Sequence, residues 1–321
     1  MRFPGFYGNQ ALKARLSDAC DKGRLSHFYI LEGPSGSGKK TLARILAAAM
    51  ECESPLGDMP CGSCPACHKS LGRGHPDVIT VDSDTAIVPI RMIRDMQADA
   101  YIRPNEGRRK VYVIPRAQDI QRSTQNVLLK LLEEPPSYCA FILLVENAGQ
   151  LLPTVRSRAV TLTLFPLTDE EMLTALKSQF PDTPQETLAA AIEESQGYLG
   201  QALAFLASPD TPLIQQASRF ITAFAKGDEL ALLKELLALS KKPPELLSLL
   251  TRLYQRFTRA MAPAAAAARS ADLRQLSASA TEQQLYSSAQ AISHGITMLQ
   301  ANGNSTLTIG ALMAQLRLPN H

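Results

Sequence analysis

No stretch of this sequence approaches the roughly 18 consecutive apolar residues that a bilayer-spanning helix needs. The alanine tract Ala264–Ala268 is too short and too weakly apolar to serve. Surplus charge is missing as well. With 33 Lys and Arg against 30 Asp and Glu, the net charge of +3 is too small to announce nucleic-acid binding through bulk electrostatics. Any DNA contact would have to come from a local cluster. The N-terminal residues Met1-Arg2-Phe3-Pro4-Gly5 contain no apolar signal region. The expectation is a cytoplasmic protein with no membrane attachment. Its six cysteines are therefore read first as metal ligands or thiols rather than as disulfides. What remains is 45% hydrophobic and 20% charged over 321 residues, an ordinary globular composition with room for two or three domains.

The most informative absence is local. The run Gly33-Pro34-Ser35-Gly36-Ser37-Gly38-Lys39 is a nearly complete phosphate-binding loop. Backbone N–H groups of such a glycine-rich turn, opening into a helix, bind phosphate oxygens with help from the helix dipole. Lys39 would reach the β- and γ-phosphates. The next position normally carries the Ser or Thr that ligates magnesium, but here it is Lys40, and a threonine comes only at Thr41. One helical step turns a side chain by about 100°, so Thr41 does not simply substitute. The second metal anchor, an Asp at the end of a neighbouring strand, is missing too. That strand reads Lys110-Val111-Tyr112-Val113-Ile114-Pro115-Arg116, and Asp119 beyond it reads as a solvated or capping residue. A chance glycine cluster in a turn is the plain alternative, and its place between strand and helix argues against it. Nucleotide binding through Gly33, Ser35, Gly36, Ser37, Gly38, Lys39, Lys40 and Thr41 is possible, but without a competent magnesium site.

The first half of the chain alternates short apolar runs with helical segments. Strands are expected at His27–Glu32, Asp77–Asp82, Val111–Ile114, Phe141–Val145 and Val160–Leu164. Helices are expected from Lys39 to Met50, around Ile90–Tyr101 and at Ser123–Leu132. Strands interleaved with helices predict an α/β fold with a parallel sheet covered on both faces. From Thr168 onward only helical patterns occur, broken by Pro181, Pro184 and Gly197. Leu230–Leu239 and Leu246–Phe257 place leucines three and four residues apart, as helices packed on helices do. Asp228 is a candidate cap for the first of these, and Pro243-Pro244 separates the two.

Cys52, Cys61, Cys64 and Cys67 fall within sixteen residues after the loop helix. Four thiolates make a closed tetrahedral site suited to structural zinc, with Gly62 and Pro65 favouring the turns that wrap the ion. Such a site leaves no open position for catalysis and would fold a segment too polar to form a core. An iron–sulfur cluster, surface thiols, or replacement of one cysteine by His68 or His75 are the alternatives. In ferredoxins, however, the fourth cysteine follows the triple run rather than preceding it. Cys20 and Cys139 read as buried or incidental thiols.

Further along, Leu151-Leu152-Pro153-Thr154-Val155-Arg156-Ser157-Arg158 puts two arginines around a serine on an expected short helix. Two solvated arginines is the plain reading. An arginine presented at a subunit edge can instead stabilise charge on a neighbour's phosphoryl group.

Several segments together resemble the bacterial replicative clamp-loader subunits of the AAA+ class. They are Gly8-Asn9-Gln10, His27–Thr41, the four-cysteine insert, Ile102-Arg103-Pro104 with Gly107, the run from Asn126 to Leu132 continuing into Glu133-Glu134-Pro135-Pro136, and Leu152 to Arg158. The likeness covers residues 1 to about 205, with the motifs in the family's order. Within the family the chain is similar to the delta-prime branch rather than the gamma/tau motors. Lys40 stands for the magnesium hydroxyl, Pro115-Arg116 for the acidic pair, and Gly197-Tyr198-Leu199-Gly200 has glycine where the motors carry a sensor arginine. The resemblance implies an AAA+ phosphate-loop domain over residues 1–166 with a zinc insert at 52–67. A small helical lid at 167–208 and a helical collar for oligomerisation at 209–321 would follow. It also implies a role without hydrolysis in a hetero-pentamer with gamma/tau and delta subunits. That assembly would load a sliding clamp onto primed DNA, and Arg158 would act in trans as an arginine finger. A gamma/tau-like active ATPase motor is the alternative, using an unorthodox acid such as Asp82, Asp84 or Glu146. The collar likeness rests on helical content and length more than on motifs.

Overall fold

The computed structural model describes residues 1–54, 59–83, 88–207, 212–262, 271–301 and 303–319. Asp84, the alanine tract and part of the cysteine insert lie outside the described residues. The chain divides into two compact units, one of Met1–Pro184 with Glu194–Leu203, the other of Gln185–Glu193 with Ala204–His321.

In the first unit the order is α1 (Gln10–Asp21), β1 (Phe28–Glu32), α2 (Lys39–Glu51), α3 (Pro65–Leu71), β2 (Val78–Thr80), α4 (Ile90–Ala100), β3 (Lys110–Ile114), α5 (Arg122–Glu133), β4 (Cys139–Val145), α6 (Pro153–Arg156), β5 (Val160–Thr163) and α7 (Asp169–Gln179). All five strands run parallel in the order β2-β3-β4-β1-β5. The strand alternation sorts side chains onto two cores. Phe28, Ile30, Tyr112, Ile114, Phe141 and Leu143 pack on one face with Ile93, Leu128 and Leu131 from α4 and α5. Tyr29, Leu31, Val111, Val113, Ile142 and Leu144 pack on the other with Leu16 of α1 and Leu42 and Leu46 of α2. Burial on both faces explains why these strands read as unbroken apolar runs. The second strand is shorter than its apolar run suggests. Asp77 and Asp82 lie outside it, and the Val81 N–H still donates to Val113 O at 2.8 Å.

One charge is buried in this sheet. Lys110 is almost wholly enclosed, and its ammonium donates to the Asp99 carboxylate at 3.0 Å and to the carbonyls of Asp99 and Ile102. Tyr112, stacked on Phe141, donates to the other Asp99 oxygen at 2.6 Å. A buried cation requires such pairing, since leaving it without partners would cost several kcal/mol or about that order. The arrangement ties the end of α4 to the start of β3.

Beyond the sheet the described residues are helical: α8 (Gln185–Ser195), α9 (Leu199–Ala207), α10 (Pro212–Ala225), α11 (Glu229–Leu237), α12 (Pro243–Ala260), α13 (Ala271–Ser279), α14 (Glu282–Gln300) and α15 (Ser305–Gln315). Asp228 caps α11 by accepting from the Ala231 N–H at 3.0 Å, and Pro243 is the first residue of α12, where a missing N–H costs nothing. On α12, Leu246, Leu249, Leu250, Leu253 and Phe257 line one buried face. Phe257 meets Phe224 of α10 edge-on, with ring centroids 4.7 Å apart. Phe257→Ala should therefore lower the stability of the second unit by about 3–5 kcal/mol. Urea denaturation followed by circular dichroism checks this, and an unchanged midpoint would contradict the packing described.

Candidate functional site

The phosphate loop stands at the carboxyl end of β1, where a parallel sheet opens a crevice for ligands. The Gly33 N–H extends the β1–β4 ladder by donating to Val145 O at 3.1 Å. Gly36 and Gly38 then take φ of +82° and +94°, a left-handed backbone that glycine adopts without strain. α2 begins at Lys39, so the N–H groups of Lys39, Lys40 and Thr41 belong to the first helical turn, which has no intrahelical acceptor to offer them. A cavity of about 480 Å³ adjoins the loop and includes Ser35 through Thr41, Pro115, Arg116 and Glu146 in its lining.

The charges around this crevice differ from those of a hydrolytic site. Lys39 Nζ turns back to the carbonyls of Gly33 and Pro34. Desolvation lowers the Lys39 pKa from the ordinary lysine value, against the nearby Glu146 carboxylate, which raises it. At the end of β3, Pro115 offers no side-chain ligand and Arg116 brings a positive charge. Its guanidinium is 3.2 Å from Asp82 and 3.9 Å from Asp119, so Asp119 is an ion-pair partner rather than a bare solvated residue. The first-turn N–H groups suit a phosphate anion. The carboxylate and hydroxyl that would hold magnesium have no counterpart at Arg116 and Lys40.

A backbone contact sits directly on the loop. The Gly200 N–H donates to Gly36 O at 2.9 Å, and Gln201 Nε2 donates to Ser35 O at 3.2 Å. A Cβ on Gly200 would lie 2.6 Å from Gly36 Cα, so only glycine fits there. The segment Gly197–Gly200, singled out for lacking a sensor arginine, thus rests on the loop by its backbone.

The structure brings the four cysteines of the insert together. The sulfur atoms of Cys52, Cys61, Cys64 and Cys67 all lie within 4.8 Å of one another, and those of Cys61 and Cys67 are 3.8 Å apart. A tetrahedron with Zn–S bonds of about 2.3 Å has S···S edges of about 3.8 Å, so the donor set fits zinc. The Cys64 N–H points at Cys61 Sγ (3.3 Å) and the Cys67 N–H at Cys64 Sγ (3.4 Å), which orients the ligands. Hydrogen bonds from Ser63, side chain first, pull the Cys61 thiol down to about 5, whereas burial pushes Cys67 up. No histidine belongs to this group among the described residues. His75 faces Glu51 instead, at 4.0 Å.

Two buried carboxylates beside the insert were not anticipated from the sequence. Glu51 accepts from the N–H groups of Arg108 and Arg109, and Asp77 from those of Asn105, Glu106 and Gly107. Burial raises Glu51 to about 7 despite those bonds. At Asp77 burial also pushes upward, but the N–H donors prevail and hold the carboxyl below its ordinary value. The one signal in the sequence was their position, Glu51 next to Cys52 and Asp77 two residues after His75. Cys20 and Cys139 are buried free thiols, as expected.

Arg158 is not on a helix. α6 ends at Arg156, Ser157 closes it, and Arg158 lies in the turn before β5. Arg158 Nη2 is 2.7 Å from Glu133 Oε1, and Nη1 donates to Thr154 O at 2.8 Å. No helix among the described residues is long and apolar enough to cross a membrane.

The family model described as DNA polymerase III, delta subunit, matches residues 8–168. The chain belongs to the DNA polymerase III delta-subunit family. It is 33% identical over 174 residues to the DNA polymerase III subunit delta' of Pseudomonas aeruginosa, covering 54% of this chain and 53% of that one. It is also 31% identical over 175 residues to the DNA polymerase III subunit gamma of Buchnera aphidicola, covering 54% of this chain and 48% of that one. The chain thus spans about half the length of these relatives. The crystal structure of a DNA polymerase III gamma subunit-related protein from Thermotoga maritima superposes with a TM-score of 0.50, at 16% identity and with 94% and 97% of the two chains covered. This likeness bears on fold alone. The β2-β3-β4-β1-β5 order with a glycine loop after β1 gives the α/β fold expected from the sequence, and it is shared with that Thermotoga maritima protein.

Two outcomes follow for this site in a member of the DNA polymerase III delta-subunit family. Gly200→Ala should destabilise the first unit by about 1–3 kcal/mol and speed hydrogen exchange at Gly36–Lys39, since the new Cβ forces the two backbones apart. Unchanged exchange would mean that the contact is not held in solution. Metal analysis should find one zinc per chain, lost in Cys64→Ser. Retention of zinc by that variant would exclude the four-cysteine site.

Proposed function

We propose that this chain is a non-hydrolysing, delta-prime-like subunit of a DNA polymerase III clamp loader. It would assist ATP-driven loading of the sliding clamp onto primed DNA and supply Arg158 to the nucleotide site of a neighbouring gamma/tau subunit. The observation that carries this reading is the carboxyl edge of the sheet beside Lys39. Where hydrolysis needs a carboxylate-held magnesium ion, the chain presents Pro115 and an Arg116 already paired with Asp82. A phosphate loop with that edge suits a ring member that shapes a neighbour's site better than one that turns over ATP. Structural zinc at Cys52, Cys61, Cys64 and Cys67 would fold the insert. Residues 167–208 would act as the lid and residues 209–321 as the collar joining gamma/tau and delta subunits in a five-membered ring. DNA would be met through the whole ring, because the net charge of +3 gives this chain little field of its own.

One observation favours the second reading, an active motor of the same complex. Glu146 lines the crevice and acts electrostatically on Lys39. Of the other acids considered for that role, Asp82 is engaged by Arg116, and Asp84 lies outside the described residues.

The purified chain, given ATP and magnesium, should release no phosphate above background. Turnover abolished by both Lys39→Ala and Glu146→Gln would establish the motor reading instead. In the reconstituted complex, Arg158→Ala should slow hydrolysis at the adjacent site by about 10³-fold or more while the subunits still assemble. Undiminished hydrolysis would remove the finger.

A further inference from the structure

α5 brackets the segment that carries Arg158 at two points. Near its start, the buried Gln125 takes the Leu152 N–H on Oε1 at 2.8 Å and donates through Nε2 to Ile120 O at 2.9 Å. This fixes the backbone where α6 begins. At its last residue, Glu133 meets Arg158 Nη2 at 2.7 Å. Between these points, Thr154 O and Ser157 Oγ receive Arg158 Nη1 at 2.8 and 3.5 Å. The guanidinium is therefore braced from two directions, by a carboxylate on one helix and by the closing turn of another. Arg156, two residues earlier and exposed, has no side-chain hydrogen bond or ion pair among the described residues. Only one arginine of the pair is held.

The position of the acid is itself unusual. A carboxylate in the last turn of a helix faces the negative end of the macrodipole and is disfavoured there. An opposing guanidinium offsets that cost, so the pair is complementary in both directions. An arginine side chain also has much rotamer freedom to lose when it must deliver a planar fork to a phosphate. Bracing it beforehand removes that loss from the step in which charge develops. The side chains of Arg158 and Glu133 are 37% and 46% exposed, so the pair remains open to solvent.

We propose that Glu133 is a positioning residue for Arg158, holding the guanidinium in the orientation in which a neighbouring subunit's nucleotide meets it. The inference rests on the arginine-finger reading and adds to it the group that aims the finger. It requires Glu133 to act through Arg158 alone.

The test is a double-variant cycle in the reconstituted clamp-loader complex, with steady-state ATP hydrolysis resolved into kcat and KM and assembly followed by gel filtration. Glu133→Ala should lower kcat about threefold to tenfold with KM unchanged. In a chain already carrying Arg158→Ala it should have no further effect. An equal loss in both backgrounds, an unchanged kcat in the Arg158 chain, an effect confined to KM, or failure to assemble would each overturn the proposal. If Arg158→Ala alone leaves hydrolysis intact, the finger reading fails first and the positioning role falls with it, a pattern distinct from the other outcomes.

Discussion

Nearly everything at the site depends on β1 being buried on both faces between β4 and β5. Its backbone is paired along both edges, so the chain can leave the sheet only at the carboxyl end, into the turn that becomes the phosphate loop. Glu32, the last residue of that strand, locks the exit. One carboxylate oxygen accepts from the Ala148 N–H at 2.8 Å and the other from the Thr163 hydroxyl at 3.1 Å. The ends of β4 and β5 are thereby tied to the start of the loop, and the crevice has a fixed rim. A loop on a rigid rim can cradle phosphate, meet another backbone at Gly200, or do both, without reorganising the core.

Against that scaffold the chemistry is a matter of charge placement. A hydrolytic crevice concentrates positive charge in a metal ion held by acids. This one carries fixed cations at Lys39, Lys40 and Arg116, with Glu146 as the acid in the lining. The cationic rim remains attractive to phosphate, while Lys40 and Arg116 stand at the positions where a magnesium hydroxyl and carboxylate are usual. The same economy is visible at Arg158, whose charge is displayed at the surface and restrained by Glu133.

A different interaction orders the chain beside the cysteine insert. Glu51 and Asp77 stand on either side of the insert and gather backbone N–H groups from residues 105–109. Each N–H that would otherwise be stranded finds a carboxylate, and the loop before β3 is clamped to the end of α2. The four sulfurs gather beside this clamp.

Much of this could be read from residue order, because it is local. The strand at Phe28–Glu32, the glycine turn, the helix from Lys39 and the leucine stripe on α12 follow from periodicity and turn chemistry within a few residues. The spacing of Cys61, Cys64 and Cys67 limits them to one wrapped site for the same reason. The places of Lys40 and Pro115-Arg116 were likewise legible, since the loop and strand define those positions. Other features join residues far apart in the chain, and no local pattern encodes them. The Gly36–Gly200 backbone contact, the pairing of Glu133 with Arg158, and the meeting of Glu51 with Arg108 and Arg109 were decided only when the sheet and helices packed. Hydrogen bonds and ion pairs are short-ranged, so their partners are chosen by the geometry that burial of the apolar faces imposes.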